Sequence, residues 1–433
     1  MTLAILNIGV EKKFGLIAPR KIFMNVAVIG LGRVGLPTAC YFARIGHHVT
    51  GYDTDSVLMA ELTAGENPLQ WEPGVAEWLG SIKYARTLDE ALYHPVISKG
   101  RVSDRACAYV IVPTPKRGSG LSAEYVKSVL DQINVSGWSG WAIVGSTLDP
   151  RTVTEVCTGP EVLYNPPLIR LGHVIEDLAY PTVGLFGMNT SAGLDVLREL
   201  WGWLGVHQVN VREVVGDPLS IAVAKLAINV SLSSRIAWAN EIDGMCHAVG
   251  ASSEKVLEAV RGDARIGSAY LKPGWSPAGP CLPRDLDVWC SLGASPMAVS
   301  VKIGHGMARQ QVITSTVNWI ETRIKLSSIR KKPVIGVLGL VYNPGAADMT
   351  LSQGMAIVDA CIGRGWPVLG YDPMGGSIVS GVSCATPLVL SDVLDKADVF
   401  IIATAWPEFD NLMYGEAKLE ATAPVLRLGG VVR

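Results

Sequence analysis

The 433-residue sequence has no C-x-x-C pair and no cysteine-rich segment; its eight cysteines stand apart, at 40, 107, 157, 246, 281, 290, 361 and 384. That scatter excludes a zinc ribbon or a disulfide framework, and reduced thiols in a cytoplasmic enzyme without a metal are expected. No uninterrupted apolar run reaches the roughly 18 to 20 residues that a bilayer crossing needs, so no membrane partner is expected. An excess of either charge is also missing. The formal net charge is −2, which provides no field to hold nucleic acid. A secretory leader pattern is lacking too: the apolar run from Thr2 to Val10 precedes its charges, Glu11, Lys12 and Lys13, which is the reverse of a signal peptide. Residues 1–23 read as a peripheral extension, with Met24 a second potential start.

What is present is ample apolar material, 49% of the chain, over a length that calls for two or three domains. Asn25 to Gly30 reads as a buried parallel strand entering a glycine turn, Leu36 to Gly46 as a helix and His48 to Asp53 as the next strand. Tyr109 to Val112 and Ala142 to Ser146 add strands, so residues 24–216 form an α/β doubly wound domain. From Asp217 the pattern is helical. Leu219 to Val249 predicts one long helix, a spine within a central region spanning 217–327. After the charged stretch Arg323 to Lys332, strand-like Pro333 to Leu340, helical Gln353 to Arg364 and strand-like Pro367 to Asp372 predict a second Rossmann-like unit over 328–433. Both units carry a strand ending in Tyr-Asp, at Tyr52-Asp53 and Tyr371-Asp372. The second turn lacks the three spaced glycines, so one cofactor site is expected.

That site is Gly30-Leu31-Gly32-Arg33-Val34-Gly35, a G-x-G-x-x-G between strand and helix. Gly30 permits the tight turn, Gly32 lets the main chain approach a pyrophosphate, and Gly35 allows close packing of helix on strand. Helix N–H groups then face the anion. Asp53, 18 residues after Gly35, can accept both ribose hydroxyls and repels a 2′-phosphate, so NAD is favoured over NADP. Pro113 and Thr114, in Val112-Pro113-Thr114-Pro115, and Ser146-Thr147 follow strands at the carboxyl edge, where ligands bind in such folds. A plain turn remains the other reading of each.

The segment from Arg265-Ile266-Gly267 through Lys272-Pro273-Gly274 to Gly279-Pro280-Cys281-Leu282-Pro283-Arg284-Asp285 carries the chemistry. Pro283 suits the first turn of a helix, which puts Cys281 at a helix N-terminus where a thiolate is stabilised. With Glu72-Pro73-Gly74, Asn165-Pro166, Lys225 and Asn229, Asn240-Glu241 and Gly339 to Pro344 in order along the chain, the sequence from Met24 onward resembles the UDP-glucose/GDP-mannose dehydrogenase family, of the UDP-glucose 6-dehydrogenase type.

The resemblance implies two Rossmann-like domains joined by a long helix. It also implies oxidation of a primary alcohol on a nucleotide-linked sugar to a carboxylate by two NAD molecules, through a thiohemiacetal and thioester on Cys281. Lys225 and Asn229, four apart on one helix face, would stabilise the oxyanion. Asp285 would be a base or orient water, Arg265 would reach the substrate of the partner in a homodimer, and Lys272, Gly279 and Tyr342 would line the substrate site. Several positions depart from the family pattern. Its two glutamates are here Pro167 and Leu171, its Phe-Lys-Pro is Tyr342-Asn343-Pro344, and its arginine after Asp-Asp or Asp-Thr is Thr350. Two other readings therefore stay open: a single-step dehydrogenase of related fold, against which Cys281 and the C-terminal unit speak, and a weakened homologue that binds NAD or a sugar nucleotide without full turnover.

Overall fold

The computed structural model describes residues 23–93, 102–202, 211–293, 295–326, 332–374, 376–380, 388–409 and 424–428. The apolar run Thr2 to Val10 and Cys384 lie outside them. The first sheet has, among the described residues, eight strands: β1 (Phe23–Ile29), β2 (His48–Tyr52), β3 (Lys83–Tyr84), β4 (Val102–Val110), β5 (Trp141–Val144), β6 (Val162–Tyr164), β7 (Val183–Gly187) and β8 (Arg212–Gly216). Their order is β8-β7-β6-β5-β4-β1-β2-β3. Neighbours run parallel except β6 and β7, which meet antiparallel at Tyr164 and Gly187.

Alternation along β1 explains why it lies inside: Val26 and Val28 enter the core on one face of the sheet, Ala27 and Ile29 that on the other. β1 begins at Phe23, two residues earlier than the sequence pattern placed it, because Phe23 is registered against Val102 and its ring covers Gly46. Helix α1 (Gly35–Arg44) follows, packing Phe42 against Trp201 with ring centroids 5.1 Å apart. Strand order reverses at β1, between β2 and β4. A crevice therefore opens at the carboxyl ends of these strands.

Helix α2 (Pro218–Val249) starts on Asp217, whose carboxylate accepts the Ser220 N–H at 2.9 Å, and ends at Gly250 in the left-handed region. It is long and apolar enough by composition to cross a membrane. Its buried stripe, Ile221, Ala222, Lys225, Leu226, Asn229, Val230, Ser233, Ile236, Ala239, Ile242 and Cys246, recurs every three to four residues and packs on protein. Against it lie α3 (Leu282–Leu292) and α4 (Pro296–Leu326). The sequence pattern did not anticipate α4 as a second long helix, nor that Arg323 belongs to its last turn.

The C-terminal unit is a five-stranded sheet among the described residues: β9 (Ile335–Leu338), β10 (Val368–Asp372), β11 (Gly376–Ser380), β12 (Val399–Ile402) and β13 (Val425–Arg427), in the order β11-β10-β9-β12-β13, with α5 (Gln353–Gly363) packed on it. Its first turn shares three features with that of the N-terminal unit, although the glycine spacing differs. Gly30 and Gly339 both have φ of 97°, and Leu31 N–H donates to Asp53 as Leu340 N–H donates to Asp372, each at 2.7 Å. A Cβ on Gly35 or Gly354 would lie 1.8 or 2.0 Å from the carbonyl oxygen of Gly30 or Gly339. In the second copy Trp406 Nε1 donates to Asp372, which is buried. The fold is thus two Rossmann-like doubly wound domains joined by a long central helix.

Candidate active site

The glycine turn fits a dinucleotide. Gly30 could carry no side chain, since its Cβ would meet the Ile111 carbonyl oxygen at 2.5 Å, whereas nothing lies within 4 Å of a Cβ on Gly32. Main chain is therefore open to a ligand at Gly32 and tightly packed on either side. Asp53 accepts Leu31 N–H with one oxygen and Asp55 N–H, at 2.9 Å, with the other, leaving lone pairs on both for ribose hydroxyls. Ser146 hydroxyl donates to the Val112 carbonyl at 2.7 Å, tying the ends of β4 and β5 together. Thr114 and Ser146 are buried there, Thr147 is half-buried and Pro113 exposed. Val34 is the N-cap of α1. Arg33, expected at the cofactor, instead turns its guanidinium to Asp348 of the C-terminal unit.

Cys281 is the N-cap of α3, with Pro283 in the first turn, as the sequence required. Its thiol is solvent-accessible but crowded. Desolvation pushes its pKa above the ordinary cysteine value, Arg284 and Lys225 pull it down, and Asp285 adds to the rise. The expected stabilisation of the thiolate by the helix end is thus outweighed, because removing water costs the anion more than the nearby cations return.

Lys225 and Asn229 lie one turn apart on α2 and both are buried. Lys225 Nζ donates to the Pro167 carbonyl at 2.8 Å and Asn229 Nδ2 to Asp285 Oδ2 at 2.6 Å. Burial lowers the pKa of Lys225, opposed first by the Asp285 carboxylate and then by Cys281. An ammonium has three donors and an amide two. Among the described residues each spends one, so each keeps donors for another oxygen. Asp285 differs from expectation. It has no exposed surface and also accepts from Arg284, whose Nε lies 2.9 Å away. It holds Asn229 and Arg284, and no face of it meets water.

The loop before Cys281 is stitched to the C-terminal unit. Gly279 N–H donates to Thr350 at 2.8 Å, Trp275 Nε1 to Leu351 at 3.0 Å, and the Tyr342 ring lies so flat on Gly279 that a Cβ would meet it at 2.7 Å. Leu171 is buried in the N-terminal core cluster, which Ala346 of the C-terminal unit also joins. Gly172 approaches Gly345 so closely that a Cβ on Gly172 would meet its carbonyl oxygen at 2.4 Å. Glu72, unassigned by the sequence beyond a landmark, accepts Gly172 and Val174 N–H groups, each at 2.7 Å. Arg235 on α2 gathers the carbonyls of Ile266, Gly267 and Ala269. Both were invisible to pattern reading because their partners are main-chain atoms distant in sequence. Asn343 is half-buried. Lys272 is exposed, and Arg265 is exposed and paired with Asp263 of its own loop at 2.6 Å; no contact among the described residues brings either to Cys281.

Three family models match in tandem: "UDP-glucose/GDP-mannose dehydrogenase family, NAD binding domain" over residues 24–204, the central domain over 220–299 and the UDP binding domain over 336–429. Among curated relatives, a UDP-glucose 6-dehydrogenase of Haloferax volcanii is 27% identical, covering 90% of this chain and 93% of its own. One of Rhizobium meliloti is 29% identical, covering 93% and 94%. Among solved structures, a UDP-glucose dehydrogenase from Pyrobaculum islandicum aligns over 97% of both chains with TM-score 0.77 and 25% identity. A UDP-D-ManNAc dehydrogenase from Pyrococcus horikoshii shares the fold at TM-score 0.74 and 21% identity over 94% of this chain and 96% of its own.

Proposed function

The chain belongs to the UDP-glucose/GDP-mannose dehydrogenase family and is an NAD-dependent nucleotide-sugar dehydrogenase; from that premise we propose that it oxidises the primary alcohol of a UDP-glucose-like nucleotide sugar to the uronic acid through covalent intermediates on Cys281. NAD, which the main chain at Gly32 and the Asp53 carboxylate would hold, would supply the hydride acceptor for each of the two oxidations. The names of the Haloferax, Rhizobium and Pyrobaculum relatives favour UDP-glucose.

The first oxidation removes a hydride and a proton from the alcohol and leaves an aldehyde. The Cys281 sulfur then adds to the aldehyde carbon, and the oxyanion takes a proton or is held by the spare donors of Lys225 and Asn229. Loss of the second hydride from that carbon, together with any proton the oxygen has taken, gives a thioester, and water cleaves the C–S bond to release the carboxylate and a proton to solvent and regenerate the thiol. The observation that carries this reading is Cys281 at the head of α3, with Asn229 and Arg284 gathered by one buried carboxylate, Asp285, and Lys225 buried one turn from Asn229 on α2. Pro167 and Leu171 offer no base for the last step, which favours a second reading, a homologue slowed at deacylation.

In a homodimer through α2, Arg265 would face the other subunit's substrate, which agrees with its exposure here. The domain division proposed is 24–216 for the cofactor, 217–327 for the helices and the Cys281 loop, and 328–433 for the nucleotide sugar, in a cytoplasmic enzyme. NADH formation with UDP-glucose, UDP-N-acetylhexosamines and GDP-mannose, counted per sugar consumed, tests the function. Two NADH per sugar supports it, one supports the single-step dehydrogenase, and none with any sugar rejects it in favour of the weakened homologue.

A further inference from the structure

Arg33 sits in the turn that faces the cofactor, between Gly32 and Gly35, yet its side chain leaves that turn and crosses the crevice. Its Nη1 donates to Asp348 Oδ2, a carboxylate of the other Rossmann-like unit that is 5% exposed. From Asp348 the bonding continues toward the nucleophile. The second carboxylate oxygen accepts Thr350 N–H at 2.7 Å, the Thr350 carbonyl accepts Gly279 N–H at 2.8 Å, and Gly279 is two residues before Cys281. The Asp348 carbonyl also accepts Tyr342 N–H at 2.9 Å, which sets the ring that covers Gly279. Three links thus connect the cofactor turn to the Cys281 loop, and both ends of the line are glycine-containing segments.

We propose that Arg33 is a positioning residue: through Asp348 it registers the cofactor turn against the Cys281 loop, so that the carbon bound to sulfur faces the hydride acceptor. The inference rests on Cys281 as the nucleophile. Three features support it. Burial alone would raise the Asp348 pKa, but bonds from Thr350 and Arg33 outweigh it and hold the carboxyl below its ordinary value, so it stays ionised as an acceptor. The Arg33 charge also reaches Cys281, as the smallest of three cationic influences on the thiol. And the C-terminal segment has no cation of its own at Thr350, so Asp348 takes its counter-charge from the opposite domain.

Displacement of reacting groups by about 1 Å can cost up to about a hundredfold in rate, whereas NAD affinity rests on the main chain at Gly32 and on Asp53. Arg33→Met and Asp348→Asn should therefore each lower kcat about tenfold while changing KM for NAD much less. The double variant should be no worse than either single one, because the two residues act as one unit. Arg33→Lys should recover part of the loss. A second readout needs no substrate: alkylation of Cys281 by iodoacetamide, located by peptide mass spectrometry, should shift to higher pH in Arg33→Met and much less in Arg33→Lys. Losses that add in the double variant, or an unchanged alkylation profile with unchanged kcat, would overturn the proposal. If the parent enzyme turns over no sugar nucleotide, the function fails but the alkylation profile still decides the role of Arg33.

Discussion

Lys225 donates its ammonium N–H to the carbonyl oxygen of Pro167, 2.8 Å away. In the mechanism proposed above, thioester hydrolysis calls for a side chain able to hold and deprotonate water, and Pro167, which stands where the family pattern carries a glutamate, offers none. Leu171 is buried in the core and Asp285 is enclosed by Asn229 and Arg284, so neither replaces it. The expected outcome is a burst of NADH comparable to the enzyme concentration, then a slow steady state, with an acyl adduct on Cys281 visible by intact-protein mass spectrometry. Pro167→Glu should quicken the slow phase. Fast linear turnover with no burst and no adduct would count against this.

Cys281→Ser should form no acid, because a hydroxyl cannot supply the anionic sulfur's nucleophilicity at neutral pH. In the parent, desolvation holds the thiol above its ordinary value. Its alkylation rate should accordingly keep rising with pH beyond an ordinary thiol's pKa of ~8.5. Arg284→Met, which removes the largest cationic influence, should move the midpoint higher still. A midpoint near neutrality would show that the helix end dominates after all.

Asp53 should select NAD. Asp53→Asn keeps an oxygen for the Leu31 N–H but drops the charge, so calorimetric titration should show weaker NAD binding and a narrower gap to NADP. Equal affinities for both cofactors in the parent protein would remove the electrostatic argument.

Trp238 and Met245 on α2 and Ile303 and Met307 on α4 are large apolar side chains left more than half exposed on the long helices, where a second copy of the chain would cover them. Light scattering at micromolar concentration should give a dimer, and Trp238→Arg should shift it toward monomer with loss of turnover. A monomeric parent would leave Arg265 without a substrate to reach.

His305 lies in α4 facing Ser233, buried, with the Arg309 charge nearby. Desolvation, with Arg309 adding to it and the Ser233 main chain opposing, lowers its pKa from about 6.5 to about 4. As pH falls, the unfolded chain takes the proton first, so stability present above about pH 6.5 is lost down to about pH 4 and changes no further below it. The shift corresponds to roughly 3 kcal/mol. Thermal denaturation of the parent and His305→Leu at pH 8 and pH 5 should show the variant gaining on the parent at the lower pH; a constant difference would exclude the histidine.

Local chemistry made much of this visible in the sequence. Gly30, Gly35 and Asp53 have residue-specific backbone or charge requirements, and Pro283 marks the start of the helix that Cys281 caps. The bounds of α2 follow from a stripe of apolar residues uninterrupted by proline. Helix α4 escaped because its sequence mixes Gly304, Gly306 and β-branched residues and its buried positions are few and spread out; packing on α2 sustains it where propensity does not. The pK behaviour of Cys281 escaped as well, since burial raises it and the loop before it is packed by Tyr342 and Thr350 from far along the chain. So did the turn of Arg33 toward Asp348, 315 residues distant.

Helix α2 carries Lys225 and Asn229 toward the thiol, then Arg235, which gathers the carbonyls of residues 266, 267 and 269, and Asn240, which accepts the Gly274 N–H at 2.7 Å. One rigid rod thus sets the angular phase between two groups of contacts. A single residue inserted between Asn229 and Arg235 would rotate everything beyond it by about 100°, leaving the first pair in place while swinging the second away from the loop it holds. Length variation in this stretch is therefore intolerable in steps of one, and only an insertion near a whole number of turns, seven residues for two, would bring both groups back into phase, at the cost of sliding one past its partners by about 10 Å.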